Sequence, residues 1–97
     1  TEKHMAQNTD IVLVADTWTQ LTDADVTNIT FQNKGTYHIL VAGTTGTSAP
    51  TGNDGSIRYN RGQGERNVAL TDLFAGIAAK RVWAFSEKKL EVMVSPA

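Results

Sequence analysis

Turn residues recur at intervals of roughly ten positions along this chain, and the runs between them alternate apolar and polar side chains. A period of two puts successive side chains on opposite faces of an extended strand. In "VTNITFQN", Thr27, Ile29 and Phe31 share one face while Asn28, Thr30 and Gln32 share the other. "TYHILVAG" sets Tyr37, Ile39 and Val41 against His38, Leu40 and Ala42. The "NKG" between them, ending at Gly35, predicts an antiparallel hairpin. "RVWAFSE" and "KLEVMVS" read the same way around "EKK" and predict a closing hairpin. Its faces set Val82, Ala84 and Ser86 against Trp83 and Phe85, and Leu90, Val92 and Val94 against Glu91, Met93 and Ser95. "DIVLVADTWTQL" predicts a first strand, bent by Asp16 and Thr17 ahead of Trp18, and "SIRYN" a short one. "NVALTDLFAG" reads as a strand end entering one helical turn, with Thr71 as its cap, Asp72 in its first turn and Gly76 as its stop. The expected fold is all-β: a small antiparallel β-sandwich or barrel of about seven short strands with one short helical turn.

A chain of 97 residues has room for one small domain with a thin core. We read residues 1–4 as an expression remnant and residues 5–97 as a single β domain beginning at Met5. The formal net charge of -1 offers no basic field to nucleic acid or to an anionic membrane surface, so neither is an expected partner. With no cysteine, disulfides and thiolate metal sites are ruled out. The apolar runs "IVLVA" and "HILVAG" are far shorter than a membrane-spanning helix, and no signal peptide is recognisable ahead of them.

Candidate chemistry was weighed motif by motif. "YNRGQGERN" has the glycines of a phosphate cradle, but Gly64 is followed by Glu65, which repels an anion, where a P-loop needs a lysine. A glycine turn or bulge between strands is the expected role. Asp10, Asp16, Asp23 and Asp25 lack the spacing of a calcium loop. His38 is the single histidine beyond residue 4, and no "GxSxG" elbow accompanies it. No enzyme, metal or cofactor is expected. Trp18, Trp83, Phe85, Tyr37 and Tyr59 either fill the core or stack on sugars. "GTTGTSAPTGNDG", residues 43–55, predicts a long polar surface loop of the kind that carries function. An open sheet also has edges, and few prolines blunt these.

Several ordered motifs carry a resemblance. They are "W.QLT...VTNITFQNKG" over residues 18–35, "APT" at 49–51, "Y..GQGE" at 59–65, "L.DLF.G" at 70–76 and "RVWAFS.....VMVS" at 81–95. In this series the chain resembles small virion structural proteins of tailed bacteriophages and prophages, either head decoration or tail-associated. The resemblance implies a non-enzymatic domain of the virion, assembled in the host bacterial cytoplasm. It would stabilise the head by contacts with copies of itself, a trimer above all, and with other virion proteins such as the major capsid protein. The alternative is a receptor- or glycan-binding tip domain of a tail fibre. The residues expected to meet the partner are Thr44, Thr45, Thr47, Asn53 and Asp54 in the long loop, with Arg58, Arg61 and Arg66 beyond it.

Overall fold

The computed structural model describes residues 9–22, 24–52 and 55–96. The elements are β1 (Thr9–Leu13), β2 (Thr19–Gln20), β3 (Asn28–Asn33), β4 (Ile39–Thr44), β5 (Ile57–Tyr59), β6 (Gly64–Ala69), α1 (Leu70–Leu73), β7 (Arg81–Phe85) and β8 (Leu90–Pro96). They form two four-stranded sheets, ordered β1-β8-β3-β6 and β2-β7-β4-β5, with every pair antiparallel. The all-β sandwich that the alternation implies is therefore what the chain forms. Among the described residues no helix is long and apolar enough to cross a membrane.

The pairing is nested. β1 pairs with β8, β2 with β7, β3 with β6 and β4 with β5, so each pair encloses the next. This is one long hairpin whose tip is the β4–β5 loop. Pairing of β3 with β8 and of β4 with β7 rolls the hairpin up into two sheets. Eight strands so arranged make a jelly roll.

Rolling overturns both expected hairpins. β3 and β4 lie in different sheets, and so do β7 and β8; the single sequential hairpin is β4–β5. A hairpin and an arch between sheets leave the same local pattern, because both reverse the chain and both keep alternate residues inward. What differs is whether the strands meet edge to edge at about 4.8 Å or face to face at about 10 Å. The expected first strand is also two. Asp16 takes a left-handed φ of 59°, and the turn it makes sends β1 and β2 to opposite sheets. Asp72 does sit in the first turn of α1, but Ala69 is the N-cap, without a side-chain bond, and Phe74 the C-cap. Thr71 and Gly76 hold neither post, because β6 runs directly into the helix.

The inward residues of both sheets make one core: Leu13, Ile29, Phe31, Val92 and Val94 from the first sheet meet Ile39, Val41, Tyr59, Val82 and Ala84 from the second. Phe31 and Tyr59 meet edge to face, with ring centroids 4.9 Å apart. The connections 14–18, 34–38, 60–63 and 86–89 gather at one end of the sandwich. Asp16 N–H bonds Ser86 O there, and Asn33 N–H bonds Gln63 O. The opposite end holds 21–27, the β4–β5 tip and 74–80, where Lys80 N–H bonds Thr44 O and Val26 N–H bonds Lys80 O.

Candidate interaction surface

β4 and β7 are apolar at both parities: Ile39, Leu40, Val41 and Ala42 in one, Val82, Trp83, Ala84 and Phe85 in the other. One parity of each fills the core, so the other makes the outer face of the second sheet apolar as well. Phe85 lies opposite Leu40 and Leu40 opposite Arg58. Trp18, just ahead of β2, packs on Phe85 with ring centroids 5.3 Å apart. A row Trp18–Phe85–Leu40–Arg58 thus crosses all four strands. Its three apolar members are half-buried and Arg58 is exposed. The next row is Gln20, Trp83 and Ala42. Trp83 is only 8% exposed, and its indole N–H donates to Thr44 Oγ1 at 2.9 Å.

Charged and polar groups rim this face. At one end Tyr37 donates its hydroxyl to Glu87 Oε1 at 2.9 Å, His38 stacks on Tyr37 at 4.5 Å, and Lys88 Nζ stands 6.0 Å from the Tyr37 ring centroid. The hydrogen bond Tyr37 donates to Glu87, then the Glu87 charge, raises the Tyr37 pKa. At the other end Arg81 Nε bonds Asp25 Oδ1 at 2.7 Å, which holds the Asp25 carboxyl below its usual range. An apolar centre with a charged rim is the anatomy of a protein contact surface.

The first sheet's outer face carries a shallow cleft of about 240 Å³ beside the 60–63 turn, lined by Thr30, Gln32, Gly62, Glu65, Arg66 and Met93 among others. Gln32 Nε2 donates to Gly62 O at 3.0 Å, and Gly62 turns the chain with a φ of 79°. Within "YNRGQGERN" residues 60–63 make the expected glycine turn, while Tyr59 ends β5 and Gly64 to Asn67 already belong to β6.

The residues singled out from the sequence do not form one patch. Thr44 ends β4 and is spent on structure, accepting from Trp83 and donating to Gly46 O at 2.7 Å. Thr45 and Thr47 are exposed in the β4–β5 tip, while Asn53 and Asp54 fall outside the described residues. Arg58 joins the aromatic row. Arg61 is exposed in the 60–63 turn, and Arg66 on the cleft. Because β5 runs from the tip to that turn, Arg61 stands about 13 Å from Ile57, at the opposite end of the sandwich.

Among the aspartates, Asp10 pairs with Lys34 Nζ at 2.9 Å, Asp25 pairs with Arg81, and Asp23 is not among the described residues. No described group of three or more His, Asp or Glu residues is placed to hold a metal. Leu40 was missed as a surface residue; its signal was the unbroken apolar run around it. No family model matches the chain, and no curated protein or solved structure proves similar to it.

Proposed function

We propose that this chain is a non-enzymatic structural protein of a bacteriophage virion, a head-decoration domain that stabilises the capsid through protein–protein contacts. The observation that carries the reading is the row Trp18, Phe85 and Leu40. It lies on the outside of a sheet whose inner face already packs the core, and it ends at the exposed Arg58. Side chains of this kind bury in a partner, and the charged rim orients it. Two supports are associational. Jelly rolls recur in viral capsid and lectin domains, and the ordered motifs resemble phage structural proteins. Partners are the major capsid protein and copies of the chain itself, set as a trimer around the threefold sites of phage particles once bound to the capsid. Many weak copies would act by avidity rather than by one tight bond.

The test is co-sedimentation with capsids that lack the protein. Wild type is expected to pellet with them, and Leu40→Glu to bind at least tenfold more weakly with an unchanged circular dichroism spectrum. Absence of wild-type binding would overturn the reading.

One observation favours a second reading, a receptor- or glycan-binding tip of a tail fibre. Trp18 is a partly exposed ring in the same row as Arg58, the pairing of stacking surface and polar group that sugars use. Glycan-array binding that Trp18→Ala abolishes would select it.

A further inference from the structure

Four strands close the edges of the two sheets, and three are poor templates for another strand. β2 has two residues and β5 three. β6 carries a register shift against β3 between Ile29 and Phe31, and Asn67 within it holds a φ of 47°. Bulges and charges of this kind blunt an edge. β1 has no bulge, and its one charge, Asp10, is paired with Lys34. It is five residues long, pairs with β8 without interruption, and contains no proline or glycine. Its outer face bears Val12, 44% exposed, and Val14 follows at 61%. Among the described residues no strand pairs with the other side of β1, and such a β-branched edge invites pairing with another chain.

The hydrogen-bond parity says which groups that edge presents. Lys34 N–H donates to Glu91 O, one step beyond the Asn33–Val92 pair. Bonded and non-bonded pairs alternate in an antiparallel ladder. Glu91, Met93 and Ser95 therefore bond toward β3, and Leu90, Val92 and Val94 bond toward β1. Their partners there are Leu13, Ile11 and Thr9. The peptide groups of Asp10 and Val12 consequently point out along the edge.

We propose that a second copy of this chain pairs antiparallel with β1, about a two-fold axis at Val12. In this register Val12 meets Val12 of the partner subunit, and Asp10 meets the partner's Val14. The outward-facing peptide groups of Val12 then meet those of the partner's Val12, so ladder bonds form in both directions. The valines of both copies gather on one outer face, while Leu13 stays in its own core. The two copies of Asp10 stay about 13 Å apart, four residues along the strand, so like charges do not oppose. This self-complementarity under reversal argues for a second copy over a foreign strand. The result is a continuous eight-stranded sheet. The contact is small, in the class of weak interfaces, and isologous, so it closes at two copies. It goes beyond the virion reading and uses a surface apart from the aromatic row and the loops.

The chain lacks cysteine, so a single Val12→Cys tests the axis directly. Opposed residues of a bonded pair lie about 5.5 Å apart at Cα, within reach of a disulfide. Under mild oxidation at high protein concentration Val12→Cys is expected to become a covalent dimer, and Arg66→Cys on the β6 edge to stay monomeric. Sedimentation of the cysteine-free chain should show a monomer–dimer equilibrium, and Val12→Lys should weaken it at least tenfold with an unchanged melting curve. Cross-linking of Val12→Cys no faster than Arg66→Cys, or association undiminished in Val12→Lys, would overturn the proposal. A monomer that instead captures an extended capsid-protein peptide at this edge would replace the second copy. Capsid binding without the cross-link sinks the pairing and leaves the virion reading standing; the cross-link without capsid binding does the reverse.

Discussion

Asn33 is fully buried at the end of β3, and its side chain is spent on three bonds. Its Nδ2 donates to Tyr37 O at 2.8 Å and to Tyr59 O at 3.2 Å, and its Oδ1 accepts from Gly35 N–H at 2.9 Å. One amide thus ties the β3–β4 arch to the end of β5. Asn33→Ala strands a buried donor and two carbonyls, and is expected to cost about 3 kcal/mol in urea unfolding. Gly64 is constrained differently. A Cβ there would stand 1.9 Å from Phe31 O, whereas one at Gly52 would meet nothing within 4 Å. Gly64→Ala should therefore lower stability by more than about 2 kcal/mol, because backbone must move. Gly52→Ala should change it by less than about 1 kcal/mol. Tyr59 makes the fold alkali-sensitive. Burial first, then the bond to Glu65, raises its pKa well above the ordinary 10.0. The folded state keeps the phenol proton that the unfolded chain releases, so this contribution is whole below pH 10.0 and is lost as pH rises beyond it. In a Tyr37→Phe background Tyr59 should ionise together with unfolding by tyrosinate absorbance, and Tyr59→Phe should flatten the alkaline loss.

Loops of this jelly roll differ in what their backbone holds. In the 60–63 turn Gly62 N–H bonds Asn33 O, and Gln63 O accepts from Asn33 N–H, so the turn is part of the core's hydrogen bonding. The β4–β5 tip is exposed from Thr45 to Ala49, and a Cβ at Gly46 would meet nothing within 4 Å. A flexible insert at Gly46 that doubles the tip's length should cost about 0.6 kcal/mol by loop closure. The same insert between Gly62 and Gln63 should cost several times more, read from denaturant midpoints at constant m-value. The Asp25–Arg81 pair also belongs to this scale, since it joins the β2–β3 connection to β7. Asp25 is lowered from 3.8 by Arg81. Its support is present above pH 3.8 and disappears as pH falls through the lower folded value.

At the scale of the molecule, nesting makes almost every pairing long-range: Thr9 meets Val94, while Ile39 and Tyr59 of the innermost pair are still twenty residues apart. Non-local sheets fold slowly, in milliseconds to seconds. Stopped-flow refolding followed by the fluorescence of Trp18 and Trp83 should fall in that range, and a microsecond phase carrying most of the amplitude would contradict the nested order. The same nesting places β8 between β1 and β3, so the strand most distant in sequence from β1 lies inside the sheet beside it.

Several strand positions and their alternate faces were legible from alternation alone, though not the break between β1 and β2 or the start of β6. Ile29 with Phe31, Ile39 with Val41, and Val82 with Ala84 all sit where period two puts them, because a pleated strand leaves no other choice of face. The glycine turn at residues 60–63 was legible for a similar reason: its chemistry is local. Partner choice was not. "NKG" and "EKK" reverse the chain whether the next strand joins the same sheet or crosses to the other, and hydrogen bonds from distant strands decide which. Nor could Arg58, Arg61 and Arg66 be separated from one another by reading along the chain. Nine residues span them in sequence, yet β5 turns one toward the aromatic row, the next turn lifts the second to the end of the sandwich, and β6 carries the third to the opposite sheet. The sequence by itself determined which residues face inward, since that depends on backbone geometry within a strand. The tertiary structure alone decided which strands meet and which surfaces remain outside, since that depends on contacts between residues far apart in the chain.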